Sequence, residues 1–126
     1  MALSIDTIDT PAVLIDVDRV EANLKRAQDF ADAHRLKLRP HIKTHKLPHF
    51  ARRQVALGAI GITCQKIGEA AAMAEAGLDD IFLPYNIVGP EKLLRLRDLA
   101  LRTRLSVTAD SRATVEGYSE AFAEAP

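Results

Sequence analysis

Lys37 to Gly58, KLRPHIKTHKLPHFARRQVALG, holds one complete strand-then-helix unit, and how its two halves read decides the fold. Lys37 to Lys43 alternates as a strand does: Arg39, His41 and Lys43 share one face, while Leu38, Pro40 and Ile42 share the other. Pro48 to Leu57 then reads as a helix, with Pro48 near its first turn and Gly58 at its carboxyl-terminal cap. The charged strand face is the unusual part. An unpaired buried charge costs on the order of several kcal/mol, so three basic groups on an inward strand face point to chemistry rather than packing.

The same unit recurs on both sides. Ala12 to Val17 (AVLIDV) is a short β-branched run, after which Val20, Leu24, Ala27, Ala31 and His34 follow at helical spacing. Asp18 and Glu21 form a capping pattern that starts this helix near Arg19. Gly61 to Gln65 (GITCQ) predicts the third strand, followed by an alanine-rich helix from Lys66 to Ala76 that Gly77 stops. Asp80 to Leu83 (DIFL) leads through the loop Pro84-Tyr85-Asn86, and Gly89-Pro90 opens a helix that runs through Arg102. Arg104 to Ala109 is the fifth strand, with Asp110-Ser111 capping a last helix toward Phe122.

About five βα units of roughly 20–25 residues imply an α/β fold with a parallel sheet, because parallel neighbours need long crossover connections. Eight such units make a TIM barrel of about 250 residues. No glycine-rich nucleotide fingerprint follows the first strand, which runs directly into Asp16-Val17-Asp18-Arg19, so an incomplete TIM-like (β/α) barrel is favoured over a doubly wound sheet. Such a half-barrel leaves apolar strand edges that another segment or chain must cover.

Composition narrows the function. The 126 residues are 48% hydrophobic and 27% charged, ordinary for a globular domain. Basic and acidic residues cancel to a formal net charge of +0, so no overall field draws the chain to nucleic acid or to an anionic membrane. Arg35 to Arg53 is locally basic, but aromatics are only 5% and no nucleic-acid-binding motif is present. Cys64 is the sole cysteine, which rules out an intramolecular disulfide and a CxxC zinc pair. The start MALSIDTIDTP has neither a basic n-region nor an apolar h-region, and no apolar run reaches the length of a membrane span, so a cytoplasmic protein is expected.

Three blocks in order carry a resemblance: Asp9 to Asp16 (DTPAVLID), Arg39 to Lys46 (RPHIKTHK) and Gly61 to Ala70 (GITCQKIGEA). Together they resemble the amino-terminal half of the D-threonine aldolase and D-serine dehydratase family, a branch of the alanine-racemase-like, fold-type III pyridoxal-phosphate enzymes. That family joins a TIM-like barrel to a β-rich domain. The resemblance makes residues 1–126 the amino-terminal part of the pyridoxal-phosphate-binding barrel, with the remaining barrel strands and the carboxyl-terminal β domain absent from the chain. The ending at Ala125-Pro126 falls where a sixth strand would begin.

The resemblance implies a lyase acting on D-β-hydroxy amino acids, most directly by retro-aldol cleavage of D-threonine-type substrates to glycine and an aldehyde. The alternative is a dehydratase for D-serine- or D-hydroxyaspartate-type substrates, giving a keto acid and ammonia. A non-catalytic pyridoxal-phosphate-binding protein or an inactive fragment is a further alternative. The family's Schiff-base lysine falls on Lys43, with His41 beside it as a cofactor contact. The family's divalent metal is held by its carboxyl-terminal domain, so no metal ligand is assigned to these residues. The partners implied are a D-amino acid substrate and either a second copy of the chain or the remainder of the same polypeptide.

Physical chemistry favours the same lysine. TIM-barrel catalytic groups sit at strand carboxyl ends, where the strand reading places Lys43. Nearby positive charge favours the neutral, nucleophilic amine, and Arg39 and a protonated His41 are the expected sources. Lys46 is the rival, lying past the strand end beside Leu47-Pro48, where a solvated or phosphate-facing role is expected. His41, His45 and His49 are spaced by four, but the strand-to-helix change between them breaks a common face, and no carboxylate or cysteine ligand lies nearby. Cys64 reads as a small buried side chain. Gln65 and Asn86 stand where strands meet loops, as pocket contacts or loop caps. Tyr85 and Tyr118 carry no specific signal.

Overall fold

The computed structural model describes residues 4–123, so the ending at Ala125-Pro126 lies outside the described residues. Five helices alternate with a three-stranded parallel sheet. The helices are α1 (Val17–Ala33), α2 (Pro48–Leu57), α3 (Ile67–Glu75), α4 (Pro90–Ala100) and α5 (Arg112–Ala121). The strands are β1 (Ile62–Thr63), β2 (Asp80–Leu83) and β3 (Arg104–Val107), hydrogen-bonded in the order β1-β2-β3. The α/β partial barrel read from the sequence is therefore present.

Two expected strands take a different form. Leu38 to His41 lies beside β1, and the carbonyls of Leu38 and Pro40 accept the Ile60 and Thr63 amides at 2.9 and 2.8 Å. A single parallel bridge joins His41 to Thr63. Pro40 has no amide hydrogen to return, which prevents a regular ladder. The chain then tightens into a 3-10 turn at Ile42–Thr44, so the strand ends before Lys43. Ala12 to Val17 is not a strand. It has no ladder partner among the described residues, Val13 is 94% exposed, and Asp16 rather than Asp18 caps α1 by accepting the Arg19 amide at 3.0 Å. A β-branched run becomes a strand only when a neighbour supplies backbone partners.

The helix ends follow local chemistry. Gly58 closes α2 at φ +126°, and Ser111 caps α5 by accepting the Thr114 amide at 3.3 Å. Proline at the start of α2 and of α4 fills a position whose amide has no helical partner.

Register divides the sheet into two faces. Ile62 pairs with Ile81 and Ile81 with Leu105, so these three share a face. They join Ala51, Ala70, Met73, Leu96 and Leu99 from the helices in one hydrophobic core, and Ile42 belongs to it, fully buried. The opposite face carries His41, Thr63, Phe82 and Ser106 in one layer. Two residues earlier on each strand, alternation places Arg39, Gly61, Asp80 and Arg104 in the layer below, roughly 7 Å away along the strands.

That lower layer is an ionic floor. Arg39 Nη1 lies 2.6 Å from Asp80 Oδ1 and 3.3 Å from the Asp80 carbonyl oxygen, with Arg104 Nη1 3.7 Å from the other carboxylate oxygen. Gly61 permits this approach. A Cβ at Gly61 would sit 2.5 Å from the Asp80 carbonyl oxygen and against the Arg39 guanidinium, and its backbone has φ +152°. Gly61→Ala is expected to destabilise the protein by about 2–4 kcal/mol, read as a lower urea midpoint at unchanged slope. Gly77→Ala is the control: its φ is also positive, at +86°, but no atom lies within 4 Å of an added Cβ, so it should cost only about 1 kcal/mol.

Candidate functional site

The carboxyl ends of the strands gather the basic block and the loops that follow β1 and β2. Ile42 anchors the 3-10 turn in the core while Lys43, next in the chain, is exposed. His41 caps this turn: its Nδ1 accepts the Lys43 amide at 3.2 Å. With Nδ1 accepting, the neutral ring carries its proton on Nε2. That Nε2 is buried without a hydrogen-bond partner among the described residues, as is Gln65 Oε1. Burial first, and then the charge of Lys43, lowers the His41 pKa from its ordinary value.

The expected source of positive charge around Lys43 is therefore corrected. Arg39 is held by Asp80 at the other end of the strands, and His41 is biased toward its neutral form. The three basic residues do not form one strand face, because the chain leaves the strand after His41.

Lys46 is solvated, as expected, with its side chain 58% exposed, and it is also paired. Its Nζ lies 3.0 Å from Glu69 Oε1, and the second carboxylate oxygen accepts the Gln65 amide at 3.0 Å. Burial alone would raise the Glu69 pKa, but the ion pair with Lys46, the hydrogen bond from the Gln65 amide and the charge of Lys66 hold it below the usual carboxylate value. Lys43 takes part in none of the ion pairs among the described residues. Glu69 was missed as a site residue. It occupies the third position of α3, where a glutamate often reaches back to a free amide, and that position was the available signal.

The other candidates separate. His45 Nδ1 accepts the Leu47 amide at 3.0 Å and the ring meets Phe50 edge-on at 5.8 Å, while His49 packs edge-on against the same residue at 5.5 Å. No cluster of three or more His, Cys, Asp or Glu able to hold a metal occurs among the described residues. Cys64 is fully buried, and burial, reinforced by Glu69, pushes its thiol up to about 12, so it is a packed side chain rather than a nucleophile.

Gln65 and Asn86 line a cleft of about 540 Å³ together with Lys66, Glu69, Tyr85 and Arg95. Asn86 Nδ2 donates to Asp110 Oδ1, tying the loop after β2 to the loop after β3. Tyr118, which carried no sequence signal, braces the same loops: its hydroxyl accepts the Ile87 amide at 2.9 Å and donates to the Thr108 carbonyl at 3.0 Å.

The parallel partial-barrel fold agrees with the comparisons with known proteins. Residues 15–125 match the alanine racemase N-terminal domain. The chain belongs to that family. It is 44% identical over 118 residues to a D-threonine aldolase of Arthrobacter sp, covering 94% of this chain and 31% of that protein. It is 40% identical over 116 residues to the D-threo-3-hydroxyaspartate dehydratase of Delftia sp. strain HT23, covering 90% and 30%. The crystal structure of D-threonine aldolase from Filomicrobium marinum superimposes with a TM-score of 0.89 at 43% identity, covering 91% of this chain and 31% of that one. The chain thus spans about a third of the length of the relatives it matches.

Membership implies pyridoxal phosphate, and the residues at the mouth fit that group in kind. Lys43 offers an exposed amine outside every ion pair among the described residues, and His41 offers a buried Nε2–H with no partner among them. Among the described residues no helix is long and apolar enough to cross a membrane.

The two half-buried histidine rings are expected to make the fold sensitive to acid. His41 and His45 both have lowered pKa values, chiefly through burial, so below the ordinary value of 6.5 the unfolded chain binds protons that the folded rings resist. Their contribution to stability is complete above pH 6.5 and is lost as pH falls through that value. Urea midpoints are expected to drop between pH 7.5 and 5.5, and the His41→Asn/His45→Asn variant should flatten that slope. Glu69 does not confound this window, because its depressed pKa acts below 4.5.

Proposed function

We propose that this chain supplies the lysine half of the active site of a pyridoxal-phosphate-dependent lyase for D-β-hydroxy amino acids, cleaving D-threonine-type substrates to glycine and an aldehyde. The observation that carries the reading is the 44% identity to a D-threonine aldolase over nearly the whole chain. Lys43 is the residue through which the cofactor attaches. When bound, pyridoxal phosphate supplies an electron sink for the negative charge that develops at the substrate α-carbon.

The chain's own groups then have separate tasks. With the cofactor bound, Lys43 would hold it and would be the base or acid that moves a proton at the substrate α-carbon. His41, neutral and with its proton on Nε2, would offer the cofactor a hydrogen-bond donor without adding positive charge beside the amine. Ile42, fully buried, holds the turn so that the lysine stays at the barrel mouth. The proposal includes a cytoplasmic location, a divalent metal held outside these residues, and a barrel completed by further polypeptide or by a second copy of the chain. The exposure of Val107 on the edge strand β3 supports that completion.

A dehydratase is the second reading, supported by the 40% identity to the Delftia enzyme. Incubation of the full-length protein with D-threonine separates the two: glycine and acetaldehyde are expected, whereas a keto acid and ammonia would replace the aldolase by the dehydratase. Lys43→Ala is expected to lower kcat/KM by at least about a thousandfold. A Lys43→Ala protein with near-normal turnover would remove the central assignment.

A further inference from the structure

The two lysines of the turn face different surroundings, and one carboxylate separates them. Glu69 is the better-buried partner of its ion pair, with a side chain 12% exposed against 58% for Lys46. Its other oxygen is fixed to the Gln65 amide at the end of β1, so the carboxylate is part of the frame and the lysine comes to it. The backbone of Lys46 is turned to make this contact: its φ is +54°, uncommon outside glycine, and its amide donates to the Ile42 carbonyl at 2.7 Å. Lys43, one turn earlier, points free of every ion pair among the described residues.

We propose that Glu69 is a positioning residue that engages Lys46 in an ion pair and so makes Lys43 the single reactive amine of the site. The inference rests on the reading of Lys43 given above and adds the group that enforces it. An ammonium paired with a carboxylate must give up that contact before it can lose a proton and attack, whereas Lys43 has no such contact to break. The floor ion pair cannot play this part, since Arg39 and Asp80 lie at the opposite end of the strands.

Peptide mapping after borohydride reduction of the full-length protein with pyridoxal phosphate tests the selection. A lysine amine condenses with the aldehyde and releases one water, and hydride then reduces the C=N bond to a stable secondary amine on whichever lysine reacted. Wild type should carry the adduct on Lys43. Glu69→Gln keeps an acceptor for the Gln65 amide but removes the charge opposite Lys46, and the share of adduct on Lys46 should rise about threefold, the scale of a partly exposed ion pair. An unchanged ratio in a folded Glu69→Gln protein overturns the inference and leaves Lys43 standing. A wild-type adduct confined to Lys46 overturns both.

A second measurement needs no variant and no cofactor. With limiting acetic anhydride, Lys43 of the wild-type protein should acetylate about threefold faster than Lys46. Equal rates, or a faster Lys46, overturn the selection by Glu69 whatever the cofactor does.

Discussion

Arg39 reaching across Gly61 to Asp80 ties the irregular Leu38 to His41 segment to the regular part of the sheet. The segment has only two carbonyl contacts and one bridge to β1, because Pro40 cannot donate. A guanidinium with a 2.6 Å contact to a carboxylate on β2 and weaker contacts to backbone carbonyls supplies what the ladder lacks. It also sets height along the strands. With Arg39 level with Asp80, His41 comes level with Thr63 and Phe82, and the turn that follows opens at the carboxyl end.

From that register the site follows by packing. Ile42 faces the helices and is fully buried, which leaves its neighbour Lys43 at the mouth. His41 closes the turn with one nitrogen and keeps the other as an unpaired donor. Glu69, at the start of α3, then takes Lys46. Two lysines separated by only two residues are thus both exposed, but one is paired and the other is in no ion pair among the described residues.

Much of this was legible from local pattern. The bounds of α2 came from Pro48 and Gly58, β2 from the run DIFL, and α5 from Ser111, because capping and period are short-range properties. The resemblance in three blocks located Lys43 and the family, and the match over residues 15–125 agrees with it. What failed depended on partners. AVLIDV has strand composition but no neighbour among the described residues, and the alternating face of Arg39, His41 and Lys43 assumed a strand two residues longer than the one Pro40 and the 3-10 turn allow.

Sequence alone thus determined the order of βα units, most helix ends, the family and the candidate lysine. Periodicity and capping act within a few residues, and the motif is contiguous. Only the tertiary structure decided that Arg39 serves the floor through Asp80, that His41 is driven toward neutrality, and that Lys46 is held by Glu69. Each of those depends on charge and burial contributed by residues distant in the chain, and pairing across a sheet is fixed by register rather than by spacing.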